Sequence, residues 1–325
     1  MTAALQSVWL DTCLAPFSAL LAREDVTDLY VNRPGEVWVE ALGQVPVRQD
    51  APELTAALLH RLARQLAAVT SQGVSRQHPL LAASLPGGER VQVVMPPATR
   101  GHLALSIRKH VSVGLGLDDY RAHDGFSRKP VMQTGSGARG TWAGDAGDDP
   151  VALLRQAVTE RRNVLVSGGT SSGKTTFVNA LLREIPADER LILIEDTPEL
   201  QVVHANAVGL VAVRGKLGEA EVSAEDLLIA SLRMRPDRII LGEVRGTEAM
   251  TFLRAINSGH PGSISTIHAD SPEGAIDQLV MLALQAGSRM RWEDIDRYVR
   301  RTVDVIVQLE RRDGKRGIGQ ILLPR

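Results

Sequence analysis

The sequence predicts an α/β fold: a mostly parallel sheet with helices on both faces, preceded by a small α+β domain. Three observations predict it. Beyond residue 151, short aliphatic runs alternate with segments of helical period, the pattern of parallel strands joined by crossover helices. One such run, at residues 163–167, leads directly into the glycine-rich stretch GGTSSGKT and then into a helix-forming segment. The first third shows no such alternation, only short strands around turns and two helical stretches.

The 325 residues suit about two domains, and 44% apolar content is ample for a core in each. A formal net charge of −1 gives no bulk attraction to nucleic acid or anionic lipid. A single cysteine, Cys13, excludes an internal disulfide framework and a cysteine-rich zinc site. No stretch has the apolar length of a membrane span. The best candidate, residues 8–22, contains Asp11 and Pro16 and lacks a signal-peptide pattern. It reads as an amphipathic helix, either packed on the first domain or docking on a membrane surface or partner.

In chain order, residues 26–32 and 36–40 flank Arg33-Pro34-Gly35 and read as a hairpin. Residues 54–69 carry Leu and Ala at helical spacing. Residues 90–95 and 103–109 alternate as strands, with Gly87-Gly88 turning the chain before the first. This α+β domain spans 1–112. Residues 113–150 read as a linker; from 123 on they hold six glycines and few aliphatics. Within them TGSGAR, at 134–139, looks superficially like a phosphate loop, but no strand is expected before it and no Gly-Lys-Ser/Thr follows.

The second domain, 151–325, opens with a helix to 161. Strand 163–167, the glycine loop and a helix to 184 follow. Next come strand 191–194 and irregular and β segments to 213. Ser223 with Asp226 gives a capping-box start to a helix reaching 234. Strand 238–241, helix 247–258, strand 263–267 and helix 272–285 continue the alternation. A helix at 292–301 and a hairpin around Asp313-Gly314 close the chain.

GGTSSGKT matches the P-loop pattern at full length and in the strand–loop–helix setting it requires. Gly168, Gly169, Thr170, Ser171, Ser172 and Gly173 form a loop whose N–H groups can curl around phosphate oxygens. The helix beginning with Lys174, Thr175 and Thr176 adds its positive end. Lys174 suits the terminal phosphates, and the Thr175 hydroxyl suits Mg²⁺. Two groups of acids end predicted strands, where ligands of such sheets gather. Glu243 suits the Mg²⁺-bound water or the attacking water, and Glu195 suits orienting or activating that water. The absence of an Asn-Lys-x-Asp guanine reader after the loop leaves ATP as the expected nucleotide. Arg233, Arg235 and Arg245 flank Glu243, either pairing across a subunit boundary or forming local ion pairs.

LILIEDTPEL resembles the aspartate box, RPDRIILGEVRG the Walker B region and GHPGSISTIHAD the histidine box of the secretion ATPase superfamily. SLRMRPDRIILGEVRGTEA is especially similar to the VirB-class conjugation ATPases, and the chain length fits the TrbB kind. The resemblance is strong over residues 151–325 and extends to the first domain only in layout. It implies a RecA-like core, a homohexameric ring, and cytoplasmic attachment to the inner-membrane components of a type IV secretion or conjugation machine. It also implies that His268, in the histidine box, couples phosphate to motion; its residue-level alternative is a histidine hydrogen-bonded at a strand end. Arg90 and Arg108 sit where first-domain arginines of the family reach for the γ-phosphate. Gly242-Glu243 stands where the superfamily often has an aspartate, and the tetracysteine insert of type II secretion members is absent. A pilus or type II secretion motor is the alternative within the superfamily. A nucleic-acid translocase is the alternative outside it, although no direct nucleic-acid binding is expected.

Overall fold

The computed structural model describes residues 3–42, 44–70, 72–109, 114–122, 131–134, 149–213, 221–312 and 315–324. The chain divides into two compact units: Met1–Val111 with Val213–Val222, and Ser112–Ala212 with Ser223–Arg325.

The first unit is an antiparallel sheet of order β3-β2-β1-β6-β5-β4 with two helices. Helix α1 (Ala3–Leu21) buries Leu10, Cys13 and Phe17 and packs on α2 (Ala56–Val69), so one face of the N-terminal helix is spent on the core. In α2 the Thr55 side chain caps the Leu58 N–H, and Leu59, Leu62, Ala63 and Leu66 form the buried stripe. Strands β1 (Val26–Val31) and β2 (Gly35–Ala41) pair as the Pro-Gly turn predicts, with Gly35 at φ +86°. Strands β5 (Arg90–Val94) and β6 (Ala104–Arg108) also pair. The sheet's two edges, β3 (Val47–Ala51) and β4 (Leu80–Ser84), are additional to the expected strands. Four of the five β3 residues are exposed, so this edge carries almost no apolar alternation.

The second unit is an eight-stranded sheet of order β10-β9-β11-β12-β8-β13-β14-β7. Its parallel strands are β8 (Val164–Gly168), β9 (Leu191–Glu195), β10 (Ala207–Val211), β11 (Arg238–Leu241), β12 (Ile264–Ile267) and β13 (Val305–Arg312). Strand β14 (Lys315–Leu323) returns antiparallel to β13, and β7 (Val131–Thr134) pairs parallel with β14. Helix α3 (Leu117–Ala122) and β7 both lie in the stretch expected to be a linker. Strand β7 also corrects the expectation that no strand precedes TGSGAR. Its four residues are recruited by backbone pairing to β14, a non-local cause that leaves no period in the sequence. Residues 135–139 lie outside the described residues.

The alternation of each strand feeds two cores. Val164, Val166, Leu193, Ile240 and Val307 pack with α4 (Pro150–Thr159) and α5 (Lys174–Leu182). Leu165, Ile192, Ile194, Ile239 and Ile306 pack with α7 (Glu248–Asn257), α8 (Pro272–Gln285) and α9 (Trp292–Thr302). The expected capping box opens α6 (Ala224–Ser231) through Ser223 and Asp226.

The amino ends of the strands are closed by buried polar groups. Arg238, fully buried, donates from Nε and Nη2 to Glu189 at 2.6 and 2.8 Å and from Nη1 to the Val158 carbonyl at 2.7 Å. Gly262, at φ +80°, makes room for it: a Cβ there would meet Arg238 Nη1 at 2.7 Å. Asn163 Oδ1 accepts from the Gly262 and Ser263 N–H groups, and its Nδ2 donates to Thr302 O. Burial pushes the Glu189 carboxyl up, but its bonds to Arg238 and the charges of Arg238 and Arg161 outweigh this and leave it below the usual carboxylate range.

Candidate active site

The carboxyl ends of β9, β11, β12 and β8, neighbours in that order, line one edge of the sheet, and the glycine loop springs from β8. A Cβ on Gly168 would lie 2.5 Å from Ser172 Oγ and 3.0 Å from the Leu309 carbonyl, so only glycine lets the loop fold back this closely. Gly173, at φ +94°, turns the chain into α5, whose first turn takes no side-chain cap. Its uncapped N–H groups and positive dipole end fit a phosphate. Lys174 Nζ donates to the carbonyls of Gly168 and Gly169 at 2.7 and 3.1 Å, which holds the ammonium over the loop.

From Lys174 a polar chain runs across the strand ends. Lys174 Nζ lies 3.4 Å from His268 Nδ1, and His268 Nε2 lies 3.1 Å from Glu243 Oε1. An ammonium has only donors and a carboxylate only acceptors, which assigns a neutral ring accepting at Nδ1 and donating from Nε2. The ring's surroundings agree. Burial pushes its pKa below the usual imidazole value, Glu243 pulls it up, and Lys174 and Arg245 push it down, with a net downward shift. Glu243 Oε2 accepts from Arg245 at 2.6 Å, and Arg245 also reaches Asp196 at 3.1 Å. Arg245 therefore forms local ion pairs. Its backbone N–H is held by Glu248 Oε1.

A second chain descends from Thr175. Its hydroxyl donates to Glu199 Oε2 at 2.8 Å. The segment carrying Glu199 is anchored by Glu195, whose Oε1 accepts from the Glu199 and Leu200 N–H groups at 2.8 and 2.9 Å. Asn179 Oδ1 accepts from the Gln201 N–H. Gly242 lets β9 and β11 close on each other: a Cβ there would meet Glu195 Cγ at 3.3 Å.

The structure thus brings Lys174, His268 and Glu243 together, and sets Glu195 behind Glu199 rather than in the Lys174 chain. In the sequence Glu199 is one of the strand-end acids and a fallback for the role of Glu243, with no sign of its bond to Thr175. The only signal was its place as the third acid of EDTPE, and its partner Thr175 is 24 residues away. Thr170 is exposed, while Ser171 and Thr176 are half-buried in the loop and first helical turn. Arg90 and Arg108 stand opposite each other on β5 and β6, with Asp28 next in the row on β1. His260 belongs to a turn, its Nδ1 3.2 Å from the Ala255 carbonyl.

A P-loop at the centre of a parallel sheet, with acids at neighbouring strand ends, defines a P-loop nucleotide hydrolase. Comparison with known proteins narrows this class. The family described as "Type II/IV secretion system protein" matches residues 143–315. The chain is 36% identical over 327 residues to the type IV secretion system protein VirB11 of Bartonella henselae, covering 95% of this chain and 91% of the relative. It is 41% identical over 305 residues to the PtlH homolog of Bordetella bronchiseptica, covering 91% and 88%. The solved structure of the VirB11 ATPase from the Brucella suis type IV secretion system, in complex with sulphate, is similar over 99% of this chain and 96% of that one. The identity is 36% and the TM-score 0.52. The chain belongs to the type II/IV secretion system protein family, with VirB11-like type IV secretion ATPases as its relatives.

Proposed function

We propose that this chain is a Mg²⁺-dependent ATPase that powers a type IV secretion or conjugal-transfer apparatus. It would work as a homohexameric ring attached peripherally to inner-membrane components on the cytoplasmic side. The observation that carries the chemistry is the continuous chain Lys174–His268–Glu243–Arg245 beside an uncapped helix start. The family membership carries the setting.

The reaction is in-line attack of water on the γ-phosphorus, with cleavage of the bond to the β–γ bridging oxygen. The loop N–H groups and Lys174 hold the phosphates. Glu243 orients the attacking water and takes its proton. His268, neutral, ties Lys174 to Glu243, so a change in what Lys174 holds reaches the acid and the strand end behind it. Mg²⁺ would neutralise charge on the phosphate oxygens, and the hard oxygen donors Thr175, Glu199 and Glu243 are the groups that would hold it, directly or through water. Glu195 keeps Glu199 in place. Arg90 and Arg108 are the first unit's candidates for γ-phosphate contact.

The test is steady-state phosphate release by the purified chain with ATP and Mg²⁺, with and without single-stranded DNA, alongside mass in solution. ATP turnover without DNA and a hexamer in nucleotide are expected. Absence of turnover would defeat the proposal, and a strict dependence on DNA would favour a nucleic-acid translocase.

A further inference from the structure

Directly beneath the phosphate loop, one row of residues crosses the three central strands. Ile267 on β12 pairs with Ser167 on β8, and Ser167 pairs with Gln308 on β13. Leu165 and Ile306 belong to the same core, so two-residue alternation puts Ser167 and Gln308 on that face too. Gln308 is buried, and its Nε2 donates to the carbonyls of Ala269 and Leu309, each at 3.3 Å. Ala269 follows His268 directly. Reaching it from β13 means passing over β8, and the residue there is a serine, among the smallest side chains available. The Ser167 hydroxyl and the Gln308 carbonyl oxygen are buried with no hydrogen-bond partner among the described residues. Such unpaired groups cost stability in an apolar core, so what the amide contributes lies in its bonds to the Ala269 and Leu309 carbonyls.

We infer that Gln308 is a positioning residue for His268. By holding the Ala269 carbonyl it fixes the turn between β12 and α8, and with it the height of the imidazole between Lys174 and Glu243. This rests on the reading of His268 as part of the hydrolytic chain. A methionine at 308 would fill the same space and keep the core, but would release the turn. The imidazole would then sample positions that miss one of its two partners, which affects turnover rather than nucleotide binding.

The experiment is a double-mutant cycle on ATP turnover with His268→Ala and Gln308→Met, read as kcat and KM separately with a thermal melt of each variant. Gln308→Met should lower kcat about tenfold and leave the KM for ATP within about twofold. In the His268→Ala background it should cost nothing further, because its effect passes through the missing ring. Gln308→Glu, which keeps the shape and loses the N–H donors, is the second variant and should give the same split. Multiplicative effects of the two substitutions would overturn the inference, as would a Gln308→Met variant with wild-type kcat. His268→Ala with wild-type turnover would remove the underlying reading as well, and that result is seen in the single variant alone.

Discussion

The two ends of the central sheet are built from the same strands and differ in what they do with charge. At its amino end, β11 begins with Arg238, wholly buried and satisfied by a carboxylate and a backbone carbonyl. At its carboxyl end, the same strand runs out into Gly242 and Glu243, whose partners Arg245 and His268 are about half exposed. The amino end is a closed knot in which every bond locks one geometry. The carboxyl end is a line of groups that can each exchange a neighbour for a phosphate oxygen or a water. On the proposed mechanism, one strand carries a frame at one end and a working site at the other. Each substitution should therefore move either stability or turnover, but not both.

The sharpest way to break that comparison is at Lys174. Lys174→Ala should reduce ATP turnover by about a thousandfold or more, since it removes the ammonium held over the loop. Its melting temperature should stay near wild type. Phosphate release at the wild-type rate would show that the site lies elsewhere. Glu243→Gln comes next: ATP affinity should hold within about threefold while kcat falls about a hundredfold. A variant that binds and hydrolyses normally would shift the role to Glu199.

The frame should respond in the opposite sense. Glu189→Ala leaves Arg238 buried without its carboxylate, a loss of about 3–5 kcal/mol in stability, measurable by denaturant unfolding. The Glu189 carboxyl lies below its ordinary range when folded. The stability it contributes is therefore full above the unfolded carboxylate's pKa and is lost as pH falls through the folded value. A variant as stable as wild type would mean that the knot is incidental.

Acid should sharpen the contrast at His268. Burial, with Lys174 and Arg245, depresses its pKa against the pull of Glu243, so the ring takes up its proton at a more acid pH than an ordinary imidazole. Protonation removes the acceptor that Lys174 uses. The kcat profile should be level near neutrality and fall on the acid side, and His268→Ala should lack that limb. An acid limb unchanged in the variant would assign the titration to another group. The smallest effect belongs to the first unit. Arg90→Ala and Arg108→Ala should slow turnover about three- to tenfold and reduce the preference for ATP over ADP, with ADP affinity nearly intact. Unchanged ATP and ADP affinities in both would end their role as sensors.

The sequence made some parts of this comparison legible and left others hidden, for physical reasons. The P-loop could be read because its chemistry is local: glycines, lysine and threonine lie within one turn of chain. Glu243 could be read because a strand's length and end are local too. The Thr175–Glu199 bond and the Arg238–Glu189 knot could not, since their partners meet only when separate strands are laid side by side. Strand β7 was missed for the same reason, being specified by β14 rather than by its own four residues. The edge strand β3 was missed because its exposed surface has no apolar period. For His268 the sequence placed the residue at a strand end. Only the structure set its two ring nitrogens against Lys174 and Glu243.

The most direct test of the account is a paired measurement on Glu243→Gln and Glu189→Gln, with ATP turnover and thermal stability determined for both. The account predicts a crossed result. The first variant loses turnover and melts close to wild type; the second melts well below it, and its folded fraction hydrolyses ATP at the wild-type rate. Wild-type turnover in Glu243→Gln, or a folded Glu189→Gln that no longer hydrolyses ATP, would contradict the division of the sheet into a working end and a frame.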